Sequence, residues 1–137
     1  MSVAMSVPEA REARTEAVRA LEAEFGELIS RVRRLLADNA QRVSPGMLPA
    51  AYKVFTTIVR RESVTLSALA ETLMADKGQI SRTVRELEDL GLITRTPDPE
   101  DGRSSLLSPS PEGLERLAAA RAPQESLLHA LTTGESP

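Results

Sequence analysis

Cysteine is absent from the 137 residues, which excludes disulfides, thiolate-held metals and any sensor built on a cysteine thiol. Tryptophan is absent as well, and one tyrosine and two phenylalanines make up all the aromatic content. The core must then be aliphatic, drawn from a 41% hydrophobic total. No stretch approaches the roughly 18 uninterrupted apolar residues that cross a membrane. Residues 1–14 lack the apolar centre of a secretory signal and already contain Glu9 and Glu12. These absences predict a cytoplasmic protein with no membrane contact. Histidine occurs once, as His129, with neither a cysteine nor a spaced set of acids to complete a metal site. Phosphate-binding glycine loops, dinucleotide fingerprints, zinc signatures and nucleophile elbows are all missing. The sequence therefore predicts no enzyme, no catalytic residue, no metal and no cofactor.

A surplus of positive charge is lacking too. The formal charge is −3, and residues 60–108 carry Arg60, Arg61, Lys77, Arg82, Arg85, Arg95 and Arg103 against nine acids. Net charge alone would argue against a polyanionic partner, but phosphate contacts depend on which face the cations occupy. Arginine outnumbers lysine 15 to 2, a bias that suits two-pronged contacts to phosphate or guanine. One domain is expected from the length.

What the sequence does contain is concentrated in residues 66–107. Leu66, Leu69, Ala70 and Leu73 recur at helical spacing behind Thr65, a residue type that caps helix starts. Asp76 and Gln79 then form a capping pair for a second helix, whose apolar stripe is Ile80, Val84, Leu87 and Leu90. Gly91 is placed for the left-handed residue that ends such a helix, with Leu92 as its apolar follower. Two helices joined by so short a turn must cross. Beyond them, 92–96 and 103–107 read as short strands around a tip, 97–102, holding two prolines, three acids and a glycine. Val64 is placed to add a strand residue beside this ribbon. Helix, turn, helix and wing together form an arrangement that puts a helix in the major groove and a ribbon beside it.

The burial of one stripe on the second crossed helix leaves the opposite face displayed, which brings Lys77, Gln79, Ser81, Arg82, Thr83 and Arg85 within reach of a groove. Gln79 carries the paired donor and acceptor that match adenine, and Arg82 the fork that matches guanine. Ser81 and Thr83 are short enough for phosphate oxygens. On the wing, Arg95 reads as a phosphate clamp and Arg103 as a minor-groove side chain, aimed by a pairing with Asp101 beside Gly102.

Upstream, residues 9–40 form a long helical pattern with Val18, Leu21, Phe25, Leu28, Ile29, Val32, Leu35 and Leu36 along one stripe. A helix of roughly 30 residues is about 45 Å long, more than a core of this size covers. Part of its stripe must meet a second chain. Pro49 sits just inside the next helix, 48–61, with Tyr52, Phe55, Ile58 and Val59 inward. After the wing, Ser110 and Pro111 cap a last helix through Leu114, Leu117 and Ala118, continuing to Leu127, Leu128 and Leu131, with Pro123 expected to kink or restart it.

These residues resemble the MarR family of bacterial winged helix-turn-helix regulators. The resemblance covers about 10–131 and is carried by Leu69-Ala70, by SRTVRELEDLG from Ser81 to Gly91, by Leu92-Ile93-Thr94-Arg95, and by DPEDGRS from Asp98 to Ser104. Gly102 stands where the family commonly has a basic residue. Ser110 and Gly113 fit the junction after the wing, where Pro109 replaces a leucine. Past Leu131 the family commonly continues into another helix, for which this sequence has no counterpart.

The resemblance implies a mainly α fold with a small β-wing, a winged helix-turn-helix plus N- and C-terminal dimerisation helices. Residues 1–8 would be a disordered tail, 9–131 a single unit and 132–137 a flexible tail. Within the unit, 9–43 and 110–131 would dimerise and 48–108 would bind DNA. The dimer contacts implied are Val18, Leu21, Phe25, Leu28, Leu114, Leu117, Leu127 and Leu128. Family members usually repress genes from a palindromic operator in duplex DNA, and many release it to a small aromatic or phenolic effector. Val32, Leu36, Tyr52, Phe55 and Val59 are the candidates for lining that effector's pocket. A protein of a different class stays open beside this one, a winged module that contacts other proteins and binds DNA weakly or not at all.

Overall fold

Alanine, glutamate, arginine and leucine, all strong helix formers, dominate the first forty residues, and they build a single helix, α1, from Val7 to Val43. The computed structural model describes residues 6–134, apart from the side chains at 127, 128, 130, 131 and 133. Residues 1–5 of the expected N-terminal tail, 1–8, and 135–137 of the expected C-terminal tail, 132–137, lie outside the described residues. The helix begins at Val7 rather than at residue 9 because Ser6 and Glu9 form a reciprocal cap. The Glu9 N–H donates to Ser6 Oγ and the Ser6 N–H to Glu9 Oε2, each at 3.3 Å.

The chain divides into two units, 1–35 and 36–137. The first is helix alone, and its apolar stripe is uncovered: Leu21 is 65% exposed, Phe25 59% and Leu28 54%. The second holds the core. Here α1 ends at Val43, and α2 runs Pro49–Arg61 with proline in its first turn, where a missing N–H costs nothing. Then follow β1 (Val64–Thr65), α3 (Leu66–Leu73), α4 (Lys77–Asp89), β2 (Ile93–Pro97), β3 (Ser105–Pro109) and α5 (Pro111–Thr133). The sheet is antiparallel in the order β1-β3-β2, with Thr65 opposite Leu106 and Arg95 opposite Leu107. Phe55 and Ile58 of α2, Leu69 of α3, Val84 and Leu87 of α4, Leu92 and Leu107 are buried together.

One buried polar cluster joins three helices. Asn39 of α1, 3% exposed, donates to the Tyr52 hydroxyl at 3.4 Å, and its Oδ1 accepts from Arg42 at 3.2 Å and Gln124 at 2.6 Å. Among the described residues no buried side-chain polar atom lacks a partner. The last helix does not restart at Pro123 but runs on through it to Thr133.

The turn between α3 and α4 holds a non-glycine residue in the left-handed region. Met74 has φ 52 and ψ 43, its N–H donates to Glu71 O at 3.1 Å, and the next N–H, of Ala75, reaches Ala70 O at 3.0 Å. Its side chain is 93% exposed, so little packing compensates the strain. Met74→Gly is expected to stabilise the fold by about 0.5–1 kcal/mol after the entropy of glycine is deducted, read as a higher urea midpoint. A lower midpoint would contradict the turn geometry.

Candidate nucleic-acid interface

The two crossed helices are set by their caps. Thr65 Oγ1 accepts the Ala68 N–H at 3.2 Å to start α3, and Asp76 Oδ2 accepts the Gln79 N–H at 3.1 Å to start α4. The far end of α4 is fixed as firmly. Gly91 has φ +75, its N–H donates to Glu88 O at 2.9 Å, and the Leu92 N–H reaches back to Leu87 O at 3.0 Å. Leu87 and Leu92 are both at 0% exposure, the apolar contact that accompanies this ending.

Between those ends α4 buries Ile80, Val84 and Leu87, with Leu90 packed against the same core. Away from that stripe Lys77, Gln79, Arg82 and Arg85 are exposed, with Ser81 and Thr83 half-buried. Lys77, Ser81, Arg82 and Arg85 share one face, whereas Gln79 and Thr83 lie round the helix towards Lys53 and Val54 of α2. Thr83 departs in detail, because its hydroxyl donates to the Gln79 carbonyl at 3.1 Å.

Beyond the Asp76 cap, whose carboxylate complements the dipole, the charge order along α4 opposes it. Lys77 stands in the first turn and Glu86, Glu88 and Asp89 in the last, with no acid in the first turn and no base in the last. Helix stability favours the reverse by about 0.3–1 kcal/mol per charge. The exposed Lys77, Arg82 and Arg85 are instead suited to an external anion.

On the wing, Arg103 is exposed, but Asp101 does not pair with its guanidinium. Asp101 Oδ1 accepts the backbone N–H of Arg103 at 3.0 Å, and Asp98 Oδ1 accepts that of Glu100 at 2.9 Å. Both carboxylates tie the tip to itself, which explains acids at this place without a metal or a partner arginine. Among the described residues no cluster of three or more potential metal ligands occurs. Gly102 has an ordinary φ, and a Cβ there would meet open space, so its backbone freedom orients nothing.

Arg95 is not free for phosphate as expected. Its Nη2 lies 2.7 Å and its Nε 3.2 Å from Oε1 of Glu88. Glu88 was not among the expected site residues. The only sequence signal for it is an acid in the last helical turn seven positions before a base on the next strand. That signal becomes readable once the Gly91 turn is known to fold one back on the other.

The other expected sites divide. Val18, Leu21, Phe25, Leu28 and Leu114 are exposed apolar side chains, as a dimer face requires. Leu117 is 4% exposed within the chain's own core, so its side chain has no surface to offer a partner. The side chains of Leu127 and Leu128 lie outside the described residues. Of the residues expected to line an effector pocket, Tyr52 and Phe55 are core side chains at 2% and 0% exposure, and Val59 packs against that core. Val32 and Leu36 are exposed on α1.

Two crossed helices, a three-stranded sheet and a β2–β3 ribbon define a winged helix-turn-helix. Residues 46–104 match the MarR family. An HTH-type transcriptional regulator of Mycobacterium leprae is 38% identical over 79 residues, covering 57% of this chain and 55% of that one. The chain spans about half the length of the curated relatives it matches, 44% and 55% for two of them. Among solved structures, a mutant of MarR from E. coli complexed with operator DNA superposes with a TM-score of 0.62 at 24% identity, over 88% of this chain and 85% of that one. FabT of Streptococcus pneumoniae in complex with DNA gives 0.71 at 17% identity, over 87% and 84%. Residues 46–104 are thus similar to the MarR family, and the chain shares the winged helix-turn-helix fold of those solved structures.

Proposed function

We propose that this chain is a cytoplasmic transcriptional repressor that binds a palindromic operator in duplex DNA as a homodimer and leaves it when a small aromatic or phenolic ligand binds. The observation that carries the reading is the exposed cationic face at the start of α4, Lys77, Arg82 and Arg85, with Gln79 beside it, held by a capped and buried helix. Such a helix enters the major groove by its N-terminal half, Gln79 matching adenine and Arg82 guanine. Arg103, exposed at the wing, is placed for the adjoining minor groove. Two solved relatives of the same fold, from E. coli and S. pneumoniae, were crystallised with DNA, which supports the assignment.

A second copy is favoured by the uncovered stripe of α1, since an apolar row of this length on a monomer is unusual. A dimer places two recognition helices about 34 Å apart, one turn of duplex, and each half-site then depends on the other. The effector acts, on this reading, by favouring a dimer with a different separation of those helices.

Fluorescence anisotropy against genomic promoter fragments tests the assignment. The double variant Arg82→Ala, Arg103→Ala is expected to bind the selected fragment about 100-fold more weakly, from two lost contacts of roughly 1–3 kcal/mol each. Undiminished binding would remove both residues from the interface. Phenols and aromatic carboxylates titrated into the complex are expected to release the DNA. The net charge of −3 favours one rival, a protein-interaction module. That rival requires no salt-dependent binding of any duplex.

A further inference from the structure

A cation that serves a nucleic-acid surface is ordinarily left unpaired until phosphate arrives. Lys77, Arg82, Arg85 and Arg103 meet that condition, since none is in an ion pair among the described residues. Arg95 alone of the expected cations does not. Two of its nitrogens converge on one oxygen of Glu88, at 2.7 and 3.2 Å. The two side chains are about one-third exposed, at 36% and 30%, so water and salt screen them less than a fully exposed pair.

The backbone between the two residues is already rigid. Glu88 lies in the last turn of α4, Gly91 turns the chain, Leu92 is buried, and Arg95 stands mid-strand in β2 opposite Leu107, itself at 0% exposure. The ion pair therefore closes a ring from recognition helix to wing, with both ends fixed in the core. A carboxylate at the negative end of a helix is disfavoured on its own, and the guanidinium compensates it.

We propose that Glu88 and Arg95 are positioning residues, a latch that fixes the wing at one angle to the recognition helix, and that Glu88 is consequently required for tight DNA binding. The sign of the effect separates this from simple electrostatics. Removing an acid from a DNA-binding surface should strengthen binding if charge alone counts. The latch requires the opposite.

The affinity arm rests on the DNA-binding reading; a second arm does not. Glu88→Gln and Arg95→Gln are each expected to weaken binding to the selected fragment about fivefold, the scale of a well-formed, partly exposed pair, with the salt slope unchanged. The exchanged pair, Glu88→Arg with Arg95→Glu, is expected to restore binding to within about twofold. In the free protein, amide hydrogen exchange over 96–106 is expected to quicken in both single variants and slow again in the exchanged pair. Equal or tighter binding by Glu88→Gln would overturn the proposal. So would a salt slope reduced by about one in Arg95→Gln, the mark of a direct phosphate contact. Should the unaltered protein bind no duplex, the DNA-binding reading fails and the exchange arm decides alone. Faster wing exchange that the exchanged pair reverses supports the latch, and unchanged exchange in the single variants refutes it.

Discussion

Gly113→Ala is expected to destabilise the protein by about 3 kcal/mol or more, a fall of roughly 10 °C in melting temperature. The first turn of α5 lies against the end of α4 so closely that a Cβ at Gly113 would overlap the Leu92 carbonyl, with its carbon only 2.9 Å away. The obstructing atoms are backbone, so no rotamer change relieves them. They are also anchored. The Leu92 carbonyl accepts the Ser110 N–H at 2.9 Å, while the Ser110 hydroxyl donates to Gly91 O at 2.6 Å and accepts the Gly113 N–H at 2.9 Å. Moving α5 away would break this junction and disturb the left-handed Gly91 that ends the recognition helix. Gly102→Ala is the matched control. Its Cβ meets nothing within 4 Å and its φ is ordinary, so a change within about 0.5 kcal/mol is expected. Equal melting temperatures for the two variants would contradict the close approach at Gly113.

The second large effect is expected at the uncovered face of α1. Phe25→Glu together with Leu28→Glu should give a folded monomer by sedimentation, because both side chains are more than half exposed and lie in the helical unit outside the 36–137 core. Two glutamates in a self-complementary apolar seam place like charges against their own copies. A monomer engages one half-site at a time, so affinity for the palindrome should fall about 100-fold or more while a single half-site is bound as before. A variant that stays dimeric would move the interface elsewhere. Loss of helical content would instead mark these residues as part of a fold-stabilising core.

Much of this architecture was legible in local chemistry. Thr65 and Asp76 are cap residues and act as caps, Gly91 is left-handed, and Val64 extends the sheet beside the wing. Each of these rests on a backbone rule that a few residues satisfy alone. Ser6 and Glu9 follow the same rule and start α1 at Val7, two residues before the expected position. Pro123 shows the converse. A proline removes one hydrogen bond and disfavours the preceding turn, but α5 continues through it to Thr133.

The departures in the site are all questions of partner choice. Asp101 was expected to aim the Arg103 guanidinium and instead holds its N–H, a contact within two residues that tight turns favour. Arg95 was expected to meet phosphate and meets Glu88, because the Gly91 turn brings helix end and strand side by side. Leu117, Tyr52 and Phe55 were recognised as inward or interfacial apolar positions. Periodicity marks such a face without saying whether a core, a cavity or another chain lies against it. Gly113 was legible only through family resemblance, since the close approach it permits depends on Leu92, twenty-one positions earlier.

The central claim is that paired copies of this chain present the basic start of α4 to duplex DNA. Binding of the unaltered protein to its selected genomic fragment, measured across a salt series with the stoichiometry determined in parallel, tests it most directly. Two chains per fragment and a logarithmic salt slope of about −4 or steeper are expected. Binding that ignores salt, or one chain per fragment at saturation, would contradict the claim.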